Sequence, residues 1–325
     1  MNSIVSTISF YQEIFNEYPE IIFPTNSSKS IIDENIIDMR QLFKSINIKL
    51  KYVDSDEQCH FFKAVNTLSR KKIFMVRVYI YTNDDNDLLK SIIHKIKTLE
   101  LFNKLVINKK TPHLPLLIAK FNTSIKNFID LSDNKNKSYE NFLEKYHKNQ
   151  YENIVTVCMD ELYDYNLLDY INDKCDSISL KEWSVIFFQI LHTLAIIHIS
   201  YPNFMHGNLD VKNIWIQKID SDKKSGTHYK YYINNSSFDV PNISLRIKIC
   251  ELNEALFNNN NPEYSDVHYF FSTLKNVCAR HRRSIPPKVF EFISRILQND
   301  GTYLENEYIC NVLSTDPLFK KMRNL

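Results

Sequence analysis

The sequence predicts an α+β fold in which a small β-rich region precedes a larger, mostly helical one. In FFKAVNTLSRKKIFMVRVYIYT, two runs of β-branched and aromatic residues flank a polar SRKK turn, the pattern of a β-hairpin. Beyond Leu162 helical patterns dominate, most clearly over Trp183 to Ile199. With 44% hydrophobic and 13% aromatic residues, a chain of 325 can bury one core of two lobes or two small domains.

Residues 1–47 carry Pro19, Pro24 and an NSSKS stretch and read as an N-terminal extension, a short helix and then irregular chain, with no legible function. The hairpin spans Leu50 to Ile80. Leu88 to Val106 has apolar residues at i, i+3, i+4 and i+7, hence an amphipathic helix. Strand-like LPLLIAKF (Leu114 to Phe121) and NIVTVCMDEL (Asn153 to Leu162) complete a small sheet, separated by a charged, asparagine-rich insertion at 132–150. The first region is 48–160, the second 161–325, and they meet near Asp160. Helical LLDYI opens the second, followed by the long element from Trp183, a YPNF turn, a strand in NIWIQKI, a strand–turn–strand unit in YKYYINNSSFDVP and a buried strand in LRIKICEL. NNNNP is a loop, SDVHYFFSTL a helix with Ser265 as its cap, and PPKVFEFISRIL a helix that begins after Pro286 and Pro287.

Several function classes are excluded early. Forty Lys and Arg against 38 Asp and Glu leave a net charge of +2, so composition argues for no specific nucleic-acid partner. The ARHRR run at Ala279 to Arg283 reads as a solvated loop. Only three glycines occur, Gly207, Gly226 and Gly301, too far apart for any glycine-rich phosphate loop. Six cysteines without a C-x-x-C pair read as reduced core thiols of a cytosolic-type compartment, not a zinc site or disulfide frame. The N-terminus lacks a secretory pattern. VIFFQILHTLAIIHI, broken by Gln189, His192 and His198, is expected to be a core helix and not a membrane span.

One constellation carries chemistry. HGNLDVKNIWI places a His at 206, polar Asn208 two residues on and Asn213 seven on, directly before a strand. A second short strand, in IKICELNEA, ends at Glu251. In this order they resemble the protein-kinase catalytic loop H-R-D-L-x-x-x-N and the metal-binding D-F-G turn. The resemblance extends through FFQILHTLAIIHISYPNFMHGNLDVKNIWI, THYKYYINNSSFDVPNISLRIKICELNEAL and YSDVHYFFSTL, with TPHLPLLIAKFNTSIKNFI and DELYDYNLLDYI fitting an N-lobe and hinge. Over residues 50–320 the chain looks like the protein-kinase-like family of large nucleocytoplasmic DNA viruses, the poxvirus and giant-virus serine/threonine kinase group. That implies a bilobal protein-kinase-like fold with ATP and Mg²⁺ as cofactors.

Position by position, the resemblance shows a degenerate member. The general-base position holds Asn208, whose amide cannot take a proton from a substrate hydroxyl. Asp210 could stand in only if the loop turned by two residues, which strict loop geometry opposes. Glu251 occupies the metal-holding Asp position, where its extra methylene strains a near-octahedral Mg²⁺ site. Asn213 matches the second metal position and a place near the nucleotide. His206 matches the catalytic-loop histidine, and Asp266 the helix Asp that ties the loop backbone, both structural roles. The phosphate-pairing strand lysine aligns with Arg77, with Lys71 and Lys72 as alternative registers, and a planar guanidinium does not replace a compact ammonium. Asp160 stands at the hinge beside the nucleotide. The nucleotide-covering loop reads DSDEQCHFFKAV, with Asp54, Asp56 and Glu57 and no glycine. In the following helix, Glu100 and Lys95 leave no evident acid partner for Arg77.

The resemblance therefore implies a pseudokinase that acts as a scaffold or regulator on a viral or host protein partner, in the host cytoplasm or the virion. Two enzyme alternatives remain: an atypical serine/threonine kinase using Glu251 and Asn213 for metal, and a small-molecule phosphotransferase, whose H-G-D-x-x-x-x-N loop H-G-N-x-x-x-x-N resembles.

Overall fold

The computed structural model describes residues 36–56, 59–69, 72–82, 86–129, 137–219, 227–257, 265–298 and 305–323. Glu57, Lys71, Gly226, Gly301, most of the N-terminal extension and the NNNNP loop lie outside them. The chain divides into two units: residues 1–109 with 115–162, and residues 110–114 with 163–325.

The first unit is built on a six-stranded sheet. Its elements are β1 (Ile36–Ile37), α1 (Met39–Ser45), β2 (Ile48–Ser55), β3 (Cys59–Asn66), β4 (Lys72–Thr82), α2 (Asn86–Ile107), β5 (Leu117–Ser124), α3 (Lys137–His147) and β6 (Tyr151–Glu161). The strand order is β1-β5-β6-β4-β3-β2, antiparallel throughout except for the β1–β5 pair. The hairpin read from the SRKK turn is β3–β4, in register from Cys59 opposite Tyr79.

Period-two alternation gives this sheet two different faces. Phe74, Val76, Val78 and Ile80 of β4 join Val155, Val157 and Met159 of β6 in a core that also takes Leu42 and Phe43 of α1 and Tyr139 and Phe142 of α3. The opposite face pairs Tyr79, Cys158 and Leu117 with Ile92 and Ile96 of α2. Charged residues share that second face. The asparagine-rich insertion thus contains a helix that covers the sheet, and residues 36–47, assigned to the extension by the sequence, supply β1 and α1.

The second unit contains β7 (Tyr165–Asn166), α4 (Leu167–Lys174), α5 (Leu180–Ser200), β8 (Ile214–Lys218), β9 (His228–Ile233), β10 (Ser236–Pro241), β11 (Leu245–Ile249), α6 (Asp266–Arg280), α7 (Pro287–Leu297) and α8 (Glu305–Thr315). Helix α5 starts at a capping box in which Ser179 and Glu182 bond reciprocally. Every residue from Trp183 to His198 is buried. At 21 residues α5 is longer than the run read from the sequence and long and apolar enough to cross a membrane, but here it forms the unit's core. Phe187 packs on Phe271 and Phe292, and Phe188 on Tyr231, Phe238 and Phe319. Ser265 caps α6 as expected, and Pro287 is the first residue of α7.

The polar interruptions of α5 have a structural use. Strand β11 pairs with β8 on one side only. On its other edge the Gln189 side chain accepts from the Ile247 N–H at 2.9 Å and donates to Leu245 O at 3.4 Å. His113 completes that edge: its carbonyl accepts from Ile249 N–H at 2.9 Å, and its Nδ1–H donates to Ile247 O at 3.0 Å. Buried backbone groups must find partners, which explains why residues 110–114 belong to this unit. Lys248, fully buried on β11, donates from Nζ to Leu114 O at 3.0 Å.

Burial holds His60, His192 and His206 down at about 4, from 6.5, and pushes His113 well below its ordinary value too. These rings are neutral in the folded chain, while the unfolded chain protonates them once pH falls below about 6.5. The unfolded state then binds more protons, so stability falls with pH between about 6.5 and 4, by up to ~1.4 kcal/mol per pH unit for each histidine. The urea midpoint is expected to drop steeply over this window; a midpoint flat from pH 7 to 5 contradicts the neutral, buried assignment.

Candidate functional site

The site builds from the strand pair β8–β11. Ile214 lies opposite Ile249 in the ladder, and the Cys250 N–H continues it by donating to Asn213 O at 3.1 Å. The register therefore sets Asn213, at the entry to β8, beside the chain that leaves β11 into Glu251. Glu251 adopts φ 59°, ψ 58°, a left-handed conformation that costs a non-glycine residue about 1–3 kcal/mol. Its carboxylate and the Asn213 amide oxygen are hard oxygen donors of the kind that would suit Mg²⁺. Among the described residues no group of three or more His, Cys, Asp or Glu gathers as a metal cluster.

The loop before β8 is fixed by its own hydrogen bonds. Asn213 Nδ2 donates to Asn208 O at 2.8 Å, and the Asp210 N–H donates to the same carbonyl at 2.9 Å. Asp210 caps the following turn, its carboxylate accepting the Lys212 N–H at 2.9 Å. It serves there as a backbone cap. His206 is fully buried; its Nε2–H donates to Cys250 O at 2.9 Å, and its Nδ1 accepts the Asn208 N–H at 3.4 Å. Burial keeps the ring neutral, which this donor–acceptor pattern requires.

Asp266, the first residue of α6 and also fully buried, accepts the His206 N–H at 2.6 Å and the Gly207 N–H at 3.2 Å. Gly207 sits at φ +80°, and a Cβ there would lie 2.7 Å from Glu254 O. Only glycine lets the two segments approach this closely. A two-way backbone bridge, Met205 with Leu256 at 2.8 Å in each direction, closes the approach.

Glu254 is a site residue that the sequence reading missed. Its Oε1 accepts from Asn208 Nδ2 at 3.1 Å, so a carboxylate stands against the Asn208 amide. Its only signal in the sequence is a second acid three residues after Glu251.

In the first unit, Arg77 Nε donates to Asp160 across the β4–β6 pair, with Asp160 fully buried. Both residues project from the α2 face: Arg77 stands opposite Cys158 and Asp160 opposite Met75, so the two are diagonal neighbours on adjacent strands. The guanidinium also lies 5.7 Å from the centre of the Phe61 ring. Glu100 of α2 pairs with buried Lys120 of β5, a partner the sequence did not suggest, and Lys95 is buried on the same helix. In the acidic β2–β3 turn the carboxylates cap their own backbone, Asp54 accepting from Ser55 N–H at 2.9 Å and Asp56 from Cys59 N–H at 2.7 Å. Those two N–H groups are committed to the turn.

The structure thus brings His206, Asn208, Asp210, Asn213, Glu251 and Asp266 together in the second unit, and Arg77 and Asp160 together in the first. No family model matches the chain. A putative serine/threonine-protein kinase of Acanthamoeba polyphaga mimivirus is 32% identical over 358 aligned residues, covering 94% of this chain and 77% of the relative. The chain belongs to a viral protein-kinase-like family. Its antiparallel sheet region followed by a helical region is the α+β kinase-like fold.

Asp266→Ala would leave the buried His206 N–H and the partly buried Gly207 N–H without this acceptor and is expected to cost roughly 3 kcal/mol. Gly207→Ala, which combines left-handed backbone with a clash on Glu254 O, is expected to cost about 1–3 kcal/mol. Urea unfolding measures both; a loss below ~0.5 kcal/mol in either variant would contradict the loop geometry.

Proposed function

We propose that this protein is a catalytically impaired kinase homologue, a pseudokinase that works by binding a viral or host protein partner in the host cytoplasm or the virion. The observation that carries the reading is at position 208. An amide that donates to Glu254 at 3.1 Å stands where phosphotransfer needs a proton acceptor. Loss of general-base help alone removes about 10²- to 10⁴-fold in rate. Arg77 held by Asp160, and a nucleotide-side turn whose carboxylates use its N–H groups, support the same reading from the first unit. If nucleotide binds, Asn213 and Glu251 are the residues that would hold Mg²⁺, whose charge would offset that of the phosphates.

Transfer of labelled γ-phosphate to generic acceptors tests this. The native chain is expected to stay at background. Asn208→Asp alone is expected to recover little, because the new carboxylate would face Glu254; Asn208→Asp with Glu254→Gln should gain at least ~10-fold. Robust native turnover that disappears in Glu251→Ala overturns the proposal. A thermal-shift titration with ATP and Mg²⁺ reads binding separately, since saturation at 100 times the dissociation constant stabilises by about 2.7 kcal/mol.

The Glu254 carboxylate also favours a second reading, slow serine/threonine phosphotransfer with Glu254 as the proton acceptor. That reading expects weak native turnover, cut by Glu254→Gln at least ~10-fold with nucleotide affinity unchanged. Equal turnover in both proteins removes it.

A further inference from the structure

Cys175, at the C-terminal cap of α4, meets His281, at the C-terminal cap of α6 and inside the ARHRR run that the kinase-like site does not use. Cys175 Sγ lies 3.4 Å from His281 Nδ1, and His281 Nε2 lies 3.1 Å from Asn172 Oδ1. An amide oxygen can only accept, so Nε2 carries the ring hydrogen. Nδ1 is then the nitrogen with the lone pair, and the thiol donates to it. In this tautomer the imidazole can take the thiol's proton, and the resulting imidazolium keeps its Nε2–H on an oxygen that favours the cation. Thiol, base and orienting group stand in the sequence that nucleophile activation requires.

The surrounding charges are mixed. Arg280, Arg282 and Arg283 flank His281 in the chain. Asp176 works against a thiolate: its Oδ1 is 3.9 Å from Sγ, although that oxygen also accepts the Ser284 hydroxyl. The C-terminal carbonyls of α4, with Asp173 and Lys174 in its last turn, add no net positive field. Thiolate here therefore depends on proton transfer to His281. Cys175 itself is 7% exposed, while its partners reach the surface.

We propose that Cys175 is a reactive thiol that exchanges with small disulfides, with His281 as its proton acceptor and Asn172 holding the ring. Cys175 Sγ gives its proton to Nδ1 and attacks one sulfur of R–S–S–R. The Cys175–S bond forms as the S–S bond breaks, and the departing R–S⁻ takes the proton back from His281. The net change is thiol plus disulfide to mixed disulfide plus R–SH, with no other oxidant. This is independent of whether the kinase-like site is active.

Cys310 provides an internal comparison: it is more exposed, but burial raises its thiol and its Sγ meets only an amide oxygen, Asn306 Oδ1 at 3.5 Å. The full-length chain is incubated with cystamine, and each cysteine is followed by peptide mass spectrometry. At pH 7 Cys175 is expected to form its mixed disulfide at least ~10-fold faster than Cys310, despite its lower exposure. His281→Gln should slow Cys175 ~10-fold at pH 7, with the deficit closing by pH 9 as hydroxide replaces the base. Faster labelling of Cys310, an unchanged rate in His281→Gln, or a deficit equal at both pH values overturns the proposal. The ranking of the two thiols is read on the native chain and decides alone if His281→Gln does not fold.

Discussion

The catalytic-loop geometry rests on one buried carboxylate. Asp266 has no exposure, and such a group is tolerated only when strong donors surround it. Its donors are the N–H groups of His206 and Gly207, so the anion and the loop require each other. From that anchor the chain is specified in both directions. His206 reaches Cys250 O at the end of β11, and Asn213 ties back to Asn208 O. Nearly every one of these bonds has a backbone group on one side. The loop's shape is therefore held through main chain and depends little on which side chains it presents.

The exchange at position 208 has an electrostatic side. With a carboxylate there, Glu254 would be a like charge within hydrogen-bond reach, and one of the two would have to bind a proton or move away. With an amide the same approach is favourable. Asn208 and the close seating of the Glu251–Leu256 segment on Gly207 are therefore mutually consistent.

How far the sequence could be read depends on the range of each interaction. The strand runs around the SRKK turn, the Ser265 cap and the spacing of His206, Asn213 and Asp266 are local or motif-scale, and the structure places them in the elements expected, while β11 ends at Ile249, two residues before Glu251. Pairings between distant side chains were not visible. Arg77 with Asp160 spans 83 positions and Cys175 with His281 spans 106. Nothing in either segment marks a partner that far away. Helix α3 was obscured for another reason: only Tyr139 and Phe142 are buried in it, too few to raise a helical period above its charged and asparagine-rich surroundings. Gln189 of α5 reads as an interruption because its use, closing the free edge of β11, exists only once the helix and strand have met.

That edge gives the polypeptide a woven topology. The chain leaves the sheet unit at Lys109, contributes five residues to the helical unit, returns for β5 and β6, and leaves again after Leu162. A single cut at the hinge therefore cannot yield two autonomous halves. A fragment starting at Tyr163 would lack the His113 and Leu114 carbonyls, removing one acceptor of the buried Lys248 ammonium and baring part of a strand edge to any chain able to pair with it. Dissection of this protein into separately produced pieces would have to carry residues 110–114 across as a graft.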